Sequence, residues 1–238
     1  MTNQNFTGSL LTTTSAKIQH SNEFGSDYYT AIMYLAPFDL SGRNVCAFAS
    51  SGCAAGCLNT AGRGKFDNIQ KARINRTNFF FEHKAMFKDQ LFTEIFKHQK
   101  KSWKNDLMPA VRLNGTSDLV WEYIYPDLFT EFSDIIFYDY TKYPINKRTR
   151  LPQNYDLTFS RSESNHDQVL PNLEAGRRVA VVFDTKKGQP LPAEYLGYPV
   201  VDGDLHDMRF IDPDGVIVGL RAKGLAAKDT SGFVVKAK

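Results

Sequence analysis

All the cysteines of this chain, Cys46, Cys53 and Cys57, fall in one short stretch of small residues, Asn-Val-Cys-Ala-Phe-Ala-Ser-Ser-Gly-Cys-Ala-Ala-Gly-Cys. Thiols this concentrated point to a soft-metal site rather than to packing. Three cysteines cannot all pair with one another, and 238 residues need no covalent staple, so a disulfide is the weaker reading. Structural zinc takes four ligands in paired spacings, whereas His20, His83, His98, His166 and His206 are scattered. A 4Fe–4S cluster suits three local thiolates better, with one iron left to a non-protein ligand. Ala47, Ala49, Ser50, Ser51, Gly52, Ala54, Ala55 and Gly56 let the backbone approach and aim N–H groups at sulfur. The loop therefore predicts an iron–sulfur site, with zinc as the alternative.

Elements must position that loop. Residues 28–36 are aromatic and aliphatic enough for a buried strand closed by Pro37. Beyond the loop, Phe80, Phe87, Leu91 and Ile95 recur on one face of a helical pattern over 69–101, with a break near 78–81 as the alternative. Strands are predicted at 108–113, 134–140, 155–160 and 178–184, and a last one ending near 203. Helical stretches fall at 119–132, interrupted or started late by Pro126, and at 168–175. Asp212-Pro213-Asp214-Gly215, between apolar runs, predicts a C-terminal β-hairpin. Residues 1–27 form an extended lead-in with short strands near Leu10 and Ile18, and 28–225 the core of one domain spanning 1–238. Repeated strand–loop–helix units predict an α/β fold with a parallel sheet, either doubly wound or, as the first expectation, curled into a partial or closed TIM-like (β/α) barrel with the cysteine loop after its first strand.

In such a fold the loops after the strands share one face. They carry Asn114, Thr116 and Asp118, then Lys142, then Ser160, Arg161 and Asn165 as candidates for binding a substrate or cofactor. Ser160 to Asn165 is also ordinary loop chemistry. Gly62-Arg63-Gly64 either admits a phosphate or carboxylate beside Arg63 or caps the long helix. Arg73 and Arg76, three apart, either pair with acids or line the mouth. Arg112 needs a partner in its strand, and Asp118 is the nearest candidate. Asp202, Asp204 and His206 alternate as a divalent-metal site would, although Asp-Gly-Asp is also a turn.

Composition narrows the functions. Nothing approaches the roughly 20 apolar residues of a bilayer span, and the polar start is no secretory signal. The expected location is a reducing cytoplasm. A net charge of +3 is too small to imply nucleic acid, yet residues 63–104 hold eleven Lys/Arg against four Asp/Glu. That segment is a solvated helix face or, alternatively, a surface for nucleic acid or a host protein. There is no Walker loop, GxGxxG or Gly-x-Ser-x-Gly. Trp103 and Trp121 read as packing.

The order Cys-x5-Gly-Cys-x3-Cys-Leu-Asn-Thr-Ala-Gly-Arg-Gly, Lys71-Ala72-Arg73-Ile74-x-Arg76-Thr77 and Val111-Arg112-Leu113-Asn114-Gly115-Thr116-Ser117-Asp118 resembles the bacteriophage family called gene product 88. The resemblance covers about residues 30–225. It implies a phage origin, hence a host-cell cytoplasm, and little chemistry. The architecture is also similar to radical S-adenosylmethionine enzymes, which carry a three-cysteine cluster loop after the first strand of a partial barrel. Those enzymes use C-x3-C-x2-C with an aromatic residue before the last cysteine; here the spacing is C-x6-C-x3-C with Gly56 at that place. Their Gly-Gly-Glu-like segment is replaced by Asn114 to Asp118. This second resemblance implies a barrel and cluster more than S-adenosylmethionine itself. Together these readings predict an iron–sulfur enzyme doing reductive or radical chemistry on a small molecule at the open iron. An electron donor such as a ferredoxin or flavodoxin would serve it. The alternative is a zinc-stapled binding protein.

Overall fold

The computed structural model describes residues 6–14, 18 and 27–237. The lead-in strand expected near Ile18 falls mostly outside them. The strands pair in the order β1-β2-β3-β4-β5-β6-β9-β8-β7, giving one mostly parallel sheet. β1 (Leu11–Thr12) runs antiparallel to β2 (Tyr28–Met33). β3 (Met108–Arg112), β4 (Ile136–Thr141), β5 (Tyr155–Ser160) and β6 (Val179–Phe183) then add in chain order, each parallel to the last. β9 (Ile217–Arg221) joins β6, and β8 (Tyr198–Asp202) joins β9, again in parallel.

Because β2 to β6 never reverse direction of travel, right-handed crossovers put their helices on one face of the sheet. The α-helices after β2 are α1 (Ser51–Ala55), α2 (Asp67–Glu82), α3 (Lys84–Lys104), α4 (Trp121–Ile124), α5 (Pro126–Glu131) and α6 (Val169–Glu174). The stripe Phe80, Phe87, Leu91 and Ile95 is buried against Ala31, Met33, Val111 and Phe137 in one hydrophobic cluster. The expected long helix is two, separated at His83, whose backbone (φ −132°, ψ 53°) leaves the helical region. The break lets Phe79 and Phe80 both meet Phe87, with ring centroids 5.6 and 5.1 Å apart. Pro126 opens α5, the position where its missing N–H leaves no helical bond unmade.

The other face of the sheet is also covered. Tyr138 and Tyr28 meet Phe210 at 5.2 and 4.9 Å, and Arg112 pairs with Asp207. These contacts correct two expectations. Arg112 is satisfied by Asp207 and by Asp139 at 3.7 Å, not by Asp118. The hairpin expected about Asp212 to Gly215 does not form, because Arg209–Ile211 turns into a short 3₁₀ helix with Arg209 buried, and β9 pairs in parallel. The hairpin instead joins β7 (Glu194–Tyr195) to β8. Its two turn residues, Leu196 and Gly197, have φ of 55° and 79°, the left-handed pair that a tight hairpin requires.

Candidate functional site

The cysteine loop leaves the C-terminal end of β2. Asn44 Oδ1 accepts from the Cys46 amide at 2.7 Å, forming a local turn, and Ala49 N–H closes onto Cys46 O at 3.0 Å. Ser50 then caps α1 by accepting from Cys53 N–H at 3.1 Å. Glu163, from the loop after β5, holds the same turn: it accepts from Gly52 N–H and Ser50 Oγ, each at 2.8 Å. Burial opposes its ionisation, but the Gly52 amide and the two serine hydroxyls outweigh it and hold the carboxyl below its ordinary value.

The sulfurs sit in a partly desolvated, amide-lined setting. Phe38 N–H donates to Cys46 Sγ at 3.4 Å, and Cys46 Sγ lies 3.8 Å from Thr116 O. Burial pushes the Cys46 thiol up to about 12, with the Asp118 charge and the other two cysteines adding to it. Burial also raises Cys57, while the Asn59 amide, Arg73 and Lys142 pull it back. The three sulfurs thus share one electrostatic neighbourhood. All three are unpaired and half-buried. Among the described residues, no group of three or more His, Cys, Asp or Glu is already gathered as a metal-holding set.

Loops after four consecutive strands meet over this stretch. Asp118, after β3, accepts from Thr141 Oγ1 at the end of β4 and from Lys142 N–H just beyond it, each at 2.8 Å, and donates its own amide to Val45 O at 2.9 Å. Burial raises its carboxyl above the ordinary range, partly offset by those donors. Lys142 Nζ reaches Ser160 Oγ at 2.9 Å. Thr116 Oγ1 donates to Leu35 O, and Gly115 packs so close to Met33 that an added Cβ would lie 2.6 Å from its carbonyl oxygen. Arg73 enters from α2, donates to Asn59 Oδ1 and lies 5.2 Å from the Tyr34 ring centroid. It is 8% exposed, and its Nε has no partner.

Other sequence candidates serve the frame. Asn114 bonds the Asp139 carboxylate, Leu119 O, Ser117 and the Trp121 indole, which makes it a structural hub. Arg161 grips the carbonyls of Gly232 and Phe233, and Asn165 closes its own loop on Ser160 and Ser162. Arg76 donates to Ser9 O at 2.7 Å, away from the mouth, and Arg63 is exposed. Asp202 and Asp204 pair with Arg221, and Asp204 also with Lys223, while His206 faces Asp212; that trio is an ion-pair cluster and not a shared metal set.

Sequence reasoning missed Glu163, Asn59, Tyr34 and the C-terminal segment. The segment crosses the loop: Ala226 lies where a Cβ on Gly56 would approach it to 3.1 Å, and the Phe233 ring lies 5.8 Å from Lys142 Nζ. A side chain at Gly56 would crowd Ala226. No signal in the cysteine motif announces a partner 170 residues away (226 against 56). No described helix is long and apolar enough to cross a membrane.

Comparison with curated proteins and with solved structures returns no match. A family model described as Gene product 88 matches residues 6–237, nearly the whole chain. The match takes in the cysteine loop, the strand loops that meet over it and the C-terminal segment that crosses it, so the chain belongs to the phage family Gene product 88.

Proposed function

We propose that Cys46, Cys53 and Cys57 hold a 4Fe–4S cluster at the C-terminal mouth of a sheet that curls into a partial barrel. The observation that carries this reading is the gathering of the chain's only three thiols, each half-buried, in one loop, with the positive charges of Arg73 and Lys142 acting on Cys57. Metal binding requires thiolates, and negative charge there is better tolerated next to two cations. Burial that drives the Cys46 thiol to about 12 argues against its use as a free nucleophile. A cluster with one open iron supplies a Lewis-acid and electron-transfer centre for a small molecule.

The chain's own groups have definable tasks in this reading. Phe38 and Asn59 donate amides to the Cys46 and Cys57 sulfurs, which favours electron-rich sulfur. Glu163 and Ser50 fix α1, so Cys53 stays oriented between its neighbours. Ala226 packs over Gly56, and Phe233 lies beside Lys142. Lys142, tied to Ser160, presents the positive edge of the mouth.

Iron, zinc and acid-labile sulfide measured on protein purified without oxygen test the proposal. The expected result is about four iron and four sulfide per chain, brown colour, and loss of both in each Cys→Ala variant. Stoichiometric zinc without iron, or no bound metal, overturns it. The narrower form, in which S-adenosylmethionine is the ligand at the mouth, predicts reductive cleavage of that cofactor by the reduced protein. Electrons would come from a ferredoxin- or flavodoxin-type donor in the host cytoplasm.

A further inference from the structure

The C-terminal half of α3 carries a surface that the cysteine site does not use. Helical geometry of about 100° per residue places Phe96, Lys100 and Trp103 in one row, with Lys97, Lys101 and Lys104 in a second row beside it. The buried residues Leu91, Ile95, His98, Gln99 and Ser102 occupy the opposite side. Phe96 and Trp103 are each 49% exposed, and Met108, at the start of β3, is 48% exposed. The two rings stand about 10 Å apart along the axis, at about 1.5 Å per residue. Lys100 Nζ lies 4.9 Å from the Phe96 ring centroid.

Between Phe96 and Lys104 the chain has four lysines and no acidic residue, more positive charge than the +3 of the whole protein. Helix-dipole complementarity accounts for Lys101 and Lys104, which lie in the last turn. It does not account for Lys97 and Lys100, nor for two large rings left in water. α3 runs back to the N-terminal start of β3, so this surface lies at the other end of the sheet from the cysteine loop.

We propose that this face binds single-stranded nucleic acid, bases stacking on Phe96 and Trp103 while the lysines follow the phosphates. Alternating rings and cations are the complement of a strand whose bases are free. A duplex would present phosphates to the lysines but keep its base faces inside, leaving both rings unused. An acidic peptide would likewise answer the charge and not the rings. The proposal is independent of the metal reading.

Fluorescence anisotropy of a labelled oligo-dT of about 20 nucleotides, titrated with the full-length protein, tests it. Four phosphate contacts predict a log–log salt slope of about −3. Trp103→Ala and Phe96→Ala each weaken binding about fivefold or more. Replacing Lys97, Lys100, Lys101 and Lys104 with Glu abolishes it. Both rings and all four lysines are exposed, so unchanged circular dichroism is expected in every variant, and lower melting only in the four-lysine variant, where Lys101 leaves the Tyr29 ring and Lys101 and Lys104 leave the helix C-terminus. No binding at low salt overturns the proposal. So does binding that survives the four-lysine variant, tighter binding of a duplex of equal length, or equal competition by polyglutamate.

Discussion

The aromatic core under α2 and α3 and the polar mesh over the C-terminal ends of β3 to β6 solve the same problem by different physics. In the core, Phe79, Phe80, Phe87 and Trp121 meet face and edge, and stability comes from area removed from water. In the mesh, Asn114, Asp118, Glu122, Arg148 and Lys142 are held by directional bonds between loops distant in sequence. Area is forgiving: another side chain of similar volume recovers most of it. A buried hydrogen-bonded charge is not, because losing one partner leaves the other desolvated and unpaired. Trp121 belongs to both regions, packing on Phe80 and Phe87 while its indole donates to Asn114.

Conservative substitutions should separate the two. Phe87→Ala, at a fully buried site, is expected to lose about 3–5 kcal/mol in denaturant unfolding, and Phe87→Leu a much smaller amount. Arg148 grips both oxygens of Glu122 at 2.6 Å with neither side chain more than 1% exposed, so Arg148→Ala should also lose about 3–5 kcal/mol. The sharper test is Arg148→Lys, which keeps the charge but not the fork and should still lose about 2 kcal/mol. If Arg148→Lys proved as mild as Phe87→Leu, the contrast would break.

His98 is the titratable exception where α3 packs on β2. Burial, opposed by the Tyr29 carbonyl that its Nε2 meets at 3.0 Å, lowers its pKa from 6.5 to about 4. A lowered folded-state pKa means the neutral ring contributes stability above about pH 6.5, lost as pH falls toward 4. The expected loss is at most about 3 kcal/mol, and His98→Gln should flatten that part of the pH–stability profile. A profile unchanged by His98→Gln would place the acid sensitivity elsewhere.

The smallest effect is expected at the mouth. Ser50→Ala removes the α1 cap and one bond to Glu163, for about 1 kcal/mol. In metal-free protein it should also speed thiol labelling of Cys53 and Cys57 by a soluble disulfide reagent, because the turn that half-buries them loosens. Unchanged labelling would show that the C-terminal segment alone protects them.

Elements whose residues repeat with a period could be read directly. The Phe80 to Ile95 stripe, the strands about Val111, Phe137, Phe159 and Val181, and the pause at Pro126 each follow from local periodicity and backbone chemistry. The cysteine cluster was equally visible, since ligand spacing is itself local. Arg112 shows where reading fails. Its need for a partner was plain, but Asp207 is 95 residues away and only the turn at Arg209 brings it near. The hairpin failed for the same reason: Asp-Pro-Asp-Gly makes a turn anywhere, and burial of Arg209, Met208 and Phe210 contacts decides what precedes it.

The sequence by itself determined the kind of sheet, the helix faces that bury against it, and the one loop able to gather thiols. Those depend on the period of apolar residues and on side chains a few positions apart. Only the tertiary structure decided that Glu163 anchors that loop, that Ala226 crowds Gly56, and that the charges of Arg73 and Lys142 act on Cys57. Each is an encounter between loops that the sheet brings to one end, and a single hydrogen bond or close contact leaves no periodic trace along the chain.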